Sequence, residues 1–303
     1  MRLLKSICIL FLLLPAFALG QYFELPKGKK IEKLNFQLIN NLIIIPVKVN
    51  GANLSFILDS GVSKPILFNL EDQDSVDIRN VSRINLKGLG DGEPVEALSS
   101  RENTFEIGNT KNKKQDIYVV IDKELNFSPK LGIPIHGIIG YDIFRDFVVE
   151  INYTGKNLKI HDPESYTYKQ RKNTETLPLT IENRKAYVLA EAVIDNSDKV
   201  PVKLLLDTGS SDAVWLFENE NKGIGIPENN FDDFLGKGLS GSINGKRTKI
   251  EQLNLGSFSF TDAKAAFPDK ESIKGIRNLN TRNGSLGGEI LKRFNSYYLG
   301  RFF

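Results

Sequence analysis

Two aspartates in this chain occupy the same local setting. Residues 56–61 read FILDSG and residues 204–209 read LLLDTG, each an apolar run followed by Asp, a small hydroxyl residue and Gly. Asp59 is therefore followed by Ser60 and Gly61, and Asp207 by Thr208 and Gly209. Two carboxylates held close together cannot both ionise cheaply, so such a pair keeps one proton over a wide pH range. The ionised member can take a proton from a water, and the protonated member can hydrogen-bond a carbonyl and stabilise charge developing on it. This chemistry needs neither a metal nor a covalent intermediate, which suits a chain with two His and one Cys. A Gly after each carboxylate lets the backbone approach it closely in a tight turn.

The segments around the two aspartates repeat in order. Asp59 and Asp207 are 148 residues apart, as are the glycines that end FEIG (Gly108) and LNLG (Gly256). The stretches GIIGYDIFRDF from Gly137 and GSLGGEILKRF from Gly284 are 147 apart, and GLGDG (88–92) and GLSGS (238–242) are 150 apart. Four kinds of landmark at nearly one offset mark an internal duplication.

The elements that must position these residues read as strands. NLIIIPVKV (41–49), LSFILD (54–59), QDIYVVI (115–121), DFVVEINY (146–153), AYVLAEAVI (186–194) and VKLLLD (202–207) are rich in β-branched and aromatic residues and bounded by turn residues. Helical periodicity is confined to Tyr141–Phe147 and Glu289–Phe294. The polar stretch 161–176 reads as a joint, giving an N-terminal lobe over 21–160 and a C-terminal lobe over 177–303. After Phe147 the first half continues through VVEINYTGKNLKIHDP, whereas the second offers NSYYLGRFF after Phe294. The repeat thus predicts a second lobe trimmed by one closing strand of about five to six residues.

These motifs resemble the aspartic peptidases of the pepsin and retropepsin lineage. The resemblance rests on Asp59-Ser60-Gly61, Asp207-Thr208-Gly209 and the apolar-apolar-Gly turns IIG (138–140) and SLG (285–287). It implies an all-β, two-lobed pepsin-like fold with pseudo-twofold symmetry, in which Asp59 and Asp207 are catalytic. It also implies that the hydroxyls of Ser60 and Thr208 cross between lobes, and that Trp215 packs beside the loop. By the same resemblance, Ser210 after Gly209 places a hydroxyl on Asp207 that Val62 cannot offer Asp59. Asp207 is then expected to be charged and Asp59 to carry the proton. Gly88, Leu89 and Gly90, with Gly238, Leu239 and Ser240, resemble the tips of glycine-rich flaps. Bacterial relatives of this two-lobed type often continue into a PDZ domain, and none is recognisable here.

The implied activity is an aspartic endopeptidase acting on an extended peptide or protein substrate, as a monomer and without a cofactor. The alternative is a peptide-binding or scaffolding protein of the same fold that has lost competence through truncation. A two-carboxylate glycosidase fits less well, because Ser/Thr-Gly after each Asp points to the peptidase arrangement. No G-x-S-x-G or H-E-x-x-H motif occurs, and His136 and His161 read as structural.

Composition narrows the setting. The net charge of +3 and the spread of its basic residues give no footprint for nucleic acid, and KGKK (27–30) and KNKK (111–114) read as solvated loops. Residues 1–20 read as a signal peptide, with Arg2 and Lys5 before an apolar run too short to span a bilayer. Its removal takes away the lone Cys8, so disulfides and Cys-ligated metals are not expected in the product. The expectation is export to a bacterial periplasm or the extracellular space, with no stable membrane span.

Overall fold

The β-branched and aromatic runs become strands whose boundaries shift by only a few residues. The computed structural model describes residues 21–70, 76–122, 125–170, 172–195, 198–276 and 281–300. The expected signal peptide, residues 1–20, lies outside them. In the first lobe the sheet order is Gln37–Ile39, Leu42–Val49, Ala52–Leu58, Gly137–Ile139, Ile66–Leu67, Thr110–Val120, Val95–Ile107 and Ser82–Leu86. In the second it is Leu179–Glu182, Lys185–Val193, Val200–Leu206, Gly284–Leu286, Val214–Leu216, Phe258–Pro268, Gly241–Leu255 and Phe231–Gly238. The two orders correspond strand for strand, so the sequence repeat is a repeat of topology. Each sheet also folds back on itself, through Val49 against Phe105 and Ala192 against Leu253. The protein is all-β and two-lobed.

The central strands explain why the aspartates end up inside. Ala52–Leu58 runs parallel to Gly137–Ile139, and Val200–Leu206 runs parallel to Gly284–Leu286. Strands at the centre of a sheet covered on both faces need continuous apolar sequence rather than alternation. FIL (56–58) and LLL (204–206) supply it, and all six side chains are buried. The chain leaves each strand directly into an aspartate.

A third sheet joins the lobes. Its antiparallel order is Ile31–Asn35, Asn157–His161, Val148–Asn152 and Asn295–Leu299. Three of its strands come from the first half and one from the second. Glu150 pairs with Tyr297 at the centre of the inter-lobe pair. These residues are 147 apart, the offset between Gly137 and Gly284, so the pseudo-twofold axis passes between them. Above this sheet, Phe144 and Tyr298 meet with ring centroids 4.9 Å apart and planes tilted by 55°. The helices Tyr141–Asp146 and Gly288–Leu291 contribute Ile143, Phe144, Ile290 and Leu291 to one apolar cluster shared by both lobes. Among the described residues no helix is long and apolar enough to cross a membrane.

The joint between the lobes depends on this burial. Ile151 is fully buried in the inter-lobe sheet, and Ile151→Ala is expected to lose about 2–5 kcal/mol of stability through lost transfer energy and a residual cavity. Urea unfolding monitored by Trp215 fluorescence checks this, and a loss below about 1 kcal/mol would mean that the sheet does not hold the lobes together.

Candidate active site

The loops that leave the two central strands meet at the pseudo-twofold axis. Backbone hydrogen bonds fix each loop to the apolar-apolar-Gly turn beneath it. The Asp59 amide donates to the Ile139 carbonyl (2.8 Å) and the Asp207 amide to the Leu286 carbonyl (3.0 Å). Gly288 donates to the Ser210 carbonyl (2.7 Å) and Tyr141 to the Val62 carbonyl (3.1 Å).

Four further hydrogen bonds tie one loop to the other. The Thr208 hydroxyl donates to the Leu58 carbonyl (2.7 Å) and accepts from the Ser60 amide (2.9 Å). The Ser60 hydroxyl donates to the Leu206 carbonyl (2.7 Å) and accepts from the Thr208 amide (3.1 Å). All four are buried, where a missing partner is most costly. Ser at position 60 and Thr at position 208 make the same bonds, because the methyl group takes no part in them.

This lattice presses the carboxyls together. The Gly61 amide donates to Asp59 Oδ1 (2.7 Å) and the Gly209 amide to Asp207 Oδ1 (3.1 Å). A Cβ on Gly209 would stand 2.3 Å from Asp59 Cγ, so only glycine admits the opposite carboxyl. The two carboxyls lie against each other and interact directly. Burial and then the charge of Asp207 push Asp59 up to about 7. Burial also raises Asp207, but the Arg282 guanidinium and the Lys185 ammonium draw it back. Both carboxyls are thus raised, and the two cations oppose the rise of Asp207 most directly.

The cause expected for a difference between the two, a hydrogen bond from Ser210, is not the one present. No hydrogen bond joins the Ser210 hydroxyl to Asp207. The Ser210 Oγ lies instead beside Gly287, where a Cβ would meet it at 3.0 Å. Ser210 supports the loop through its backbone, donating to the Asp207 carbonyl and accepting from Gly288. The cations that favour a charged Asp207 come from elsewhere, from the start of Lys185–Val193 and from the residue two before Gly284.

The two glycine-rich tips meet each other. The Gly88 amide donates to the Ser240 hydroxyl (3.0 Å), the Ser240 amide to the Leu89 carbonyl (2.8 Å) and the Gly92 amide to the Ser240 carbonyl (2.7 Å). A Cβ on Gly238 would lie 2.2 Å from the Leu89 oxygen, and one on Gly90 2.4 Å from the Ser240 carbonyl carbon. Tip glycines are therefore a condition of the contact. The leucines cross over. Leu89 packs on the second-lobe cluster of Trp215, Leu235, Ile243 and Ala266. Leu239 packs on the first-lobe cluster that includes Ile57, Phe68 and Ile135.

Further residues brace the loops. Trp215 Nε1 donates to Asp212 Oδ2 (2.6 Å), and Arg247 on the second flap donates to Asp212 Oδ1 (2.8 Å). Asn41 Nδ2 of the first lobe donates to the Ser211 carbonyl (2.8 Å), and Lys292 donates to Asn41 Oδ1 (2.8 Å). His136 accepts from the Ser55 amide through Nδ1 (3.1 Å), and His161 lies 3.3 Å from Glu150, so both histidines sit in structural roles away from the pair. Among the described residues no cluster of His, Cys, Asp and Glu could hold a metal.

Sequence reading missed Lys185, Arg282 and Asp212. The first two stand where the first lobe has Leu42 and Ile135, so a strand-by-strand superposition of the halves was the available signal.

This architecture, with two buried carboxyls at the junction of two equivalent lobes, defines an acid-protease class of site. The aspartyl protease family model matches the chain twice, over residues 45–143 and 190–290. The chain belongs to that family. A search of curated proteins finds no match to it.

Two measurements follow from this geometry. Thr208→Val removes the hydroxyl at nearly constant shape and leaves the Leu58 carbonyl and Ser60 amide unpaired. It is expected to lower stability by about 1–3 kcal/mol, whereas Thr208→Ser keeps most of it. The raised pKa of Asp59 predicts a pH dependence of stability. Its contribution is present below about pH 4, falls as the unfolded chain ionises, and is fully lost above about 7. Asp59→Asn should therefore remove part of the decline in urea midpoint between those limits, and an unchanged slope would contradict a protonated Asp59.

Proposed function

We propose that the protein is an aspartic endopeptidase that hydrolyses peptide bonds with a water activated between Asp59 and Asp207. The observation that supports this most strongly is the buried carboxyl pair, in which burial raises both members and two cations stand on the Asp207 side. In this reading Asp207 accepts a proton from the water as its oxygen attacks the peptide carbonyl. Asp59 gives its proton to the carbonyl oxygen, yielding a neutral gem-diol. Asp207 then gives its proton to the amide nitrogen while Asp59 takes one from a gem-diol hydroxyl, so that the C–N bond breaks, a carboxylic acid forms and the dyad regains its single-proton state. General acid–base catalysis is efficient when the groups straddle the working pH in this way.

The flap tips belong to the same scheme. An extended peptide offers backbone donors and acceptors along its length, and flap backbone groups can pair with it as an added strand. The tip-to-tip hydrogen bonds and crossed leucines must part for a substrate to enter, and substrate replaces those contacts when the tips close. A single chain carries both halves of the site, which supports a monomer as the active species. The signal peptide expected from the sequence of residues 1–20 supports action outside the cytoplasm.

The pair should behave as one titrating unit with two limbs in its pH–rate profile. Activity is expected to fall at high pH as Asp59 loses its proton near 7, and at low pH as Asp207 gains one. Lys185 holds both carboxyls down, so Lys185→Met should move both limbs to higher pH. Incubation of the purified protein with a peptide library from about pH 3 to 8 tests the function. Cleavage abolished by Asp207→Asn and by Asp59→Asn is the expected result. A folded wild-type protein that binds peptides without cleaving any would replace hydrolysis with peptide binding.

A further inference from the structure

Each position beside the carboxyl pair has a counterpart in the other lobe, and the counterparts differ in a consistent direction. In the first lobe Ile44 pairs with Ile57, which sets Leu42 level with Asp59. In the second, Tyr187 pairs with Leu205, which sets Lys185 level with Asp207. At the 147-residue offset, Arg282 replaces Ile135 and Ser285 replaces Ile138. The first-lobe residues are apolar and belong to the cluster around Ile57 and Phe68. On the same frame the second lobe carries two cations and a hydroxyl.

These cations are incompletely matched. Arg282 is 5% exposed; its guanidinium lies over the Phe217 ring at 5.0 Å, Nη2 donates to Ser285 Oγ at 3.2 Å, and the Tyr187 side chain, a neutral partner, also meets it. Its Nε is buried without a partner among the described residues. Lys185 forms no salt bridge or hydrogen bond among the described residues. The charges that act on it are Arg282, Asp59 and Asp207. A pair that shares one proton supplies a single negative charge against two positive ones. Burying an unmatched charge is unfavourable unless a counter-charge arrives, so this half of the cleft is complementary to an anion. The first-lobe half is complementary to an apolar group.

We propose that the second-lobe side of the cleft is a subsite for an acidic side chain, Asp or Glu, flanking the scissile bond, with Arg282 and Lys185 as its specificity-determining residues. The proposal rests on the reading of the site as a peptidase and adds its substrate class: peptides that place an apolar residue on one side of the bond and an acidic one on the other. The carboxylate displaces no existing partner of Arg282 Nε, and the planar guanidinium suits bidentate recognition of it.

The test uses N-acetylated, C-terminally amidated peptides that differ only in Glu, Gln or Leu beside a fixed apolar residue, in both orders, at about pH 6, where a Glu side chain is ionised. The wild-type protein is expected to cleave the Glu peptide of one order with kcat/KM about 10- to 100-fold above its Gln twin. In Arg282→Met and in Lys185→Met that ratio, taken within each variant at its own pH optimum because both cations also bias the carboxyl pair, should fall towards one, and so should the ratio of Glu to Gln peptide binding when either change is added to Asp59→Asn; Arg282→Lys should restore part of both. Lys185 is only partly buried, so its variant remains informative if Arg282→Met does not fold. Equal cleavage of Glu and Gln peptides by the wild type would overturn the proposal. Binding of the same peptides to Asp59→Asn, followed by fluorescence anisotropy, separates this proposal from hydrolysis itself. Tighter binding of the Glu peptide with no cleavage by the wild type would keep the subsite and discard the peptidase reading. Cleavage with no Glu preference in rate or binding would do the reverse.

Discussion

Two carboxyl groups pressed together away from water repel each other unless they share a proton, and holding them there sets the terms for the rest of this molecule. The apolar strands Ala52–Leu58 and Val200–Leu206 carry the aspartates inward, because strands covered on both faces are stable only when continuously apolar. The loops that follow would spring apart under the carboxyl repulsion if each were held by its own lobe alone. The crossed hydrogen bonds of Ser60 and Thr208 oppose that, since each hydroxyl satisfies both a carbonyl and an amide across the axis. Gly61 and Gly209 complete the arrangement by leaving room for the opposite carboxyl. The inter-lobe sheet acts at longer range. Its central pair, Glu150 with Tyr297, lies on the same axis and fixes how the two halves face each other.

Much of this was legible in the sequence because duplication writes the same constraint twice. The aspartates, their hydroxyl and glycine neighbours, and the turns that pass beneath them recur at nearly constant offset, and the structure places them together on the axis. The strands were legible from β-branched and aromatic runs bounded by turns. What escaped was specific to three-dimensional neighbourhood. Lys185 follows an ordinary turn and reads as a solvated residue, yet the register of Tyr187 with Leu205 sets it beside Asp207. Arg282 lies in a polar stretch and reads as surface, although its counterpart Ile135 is a core residue. Ser210 shows the opposite failure. Its type and position suited a hydrogen bond to Asp207, but the rotamer that packs beside Gly287 turns the hydroxyl away.

The flaps illustrate how a symmetric frame produces one enclosed site. Two equivalent hairpins that each covered their own lobe would leave a seam along the axis. Here the tip leucines exchange lobes, with Leu89 over Trp215 and Leu239 over the first-lobe cluster, so the seam is closed by apolar contact and by the Ser240 hydrogen bonds. Those bonds are few and lie at hairpin ends, where local opening requires little disruption of the sheet. Opening is thus separable from the loops below, which stay fixed by the crossed hydroxyls.

Symmetry cannot persist at the pair itself, because one shared proton makes the two carboxyls different. An environment that treated both alike would leave the proton on either side, and neither would be settled as acid or base. The protein breaks the tie by placing Lys185 and Arg282 on the second lobe alone. Their charge opposes the rise that burial imposes on Asp207, whereas Asp59, set among Leu42 and the first-lobe isoleucines, is pushed up to about 7. The same pair of side chains that biases the two carboxyls also makes their surroundings cationic on one side and apolar on the other. The proposed division of roles between the aspartates and the proposed preference of the second lobe thus rest on one pair of side chains, without departure from the repeated backbone frame.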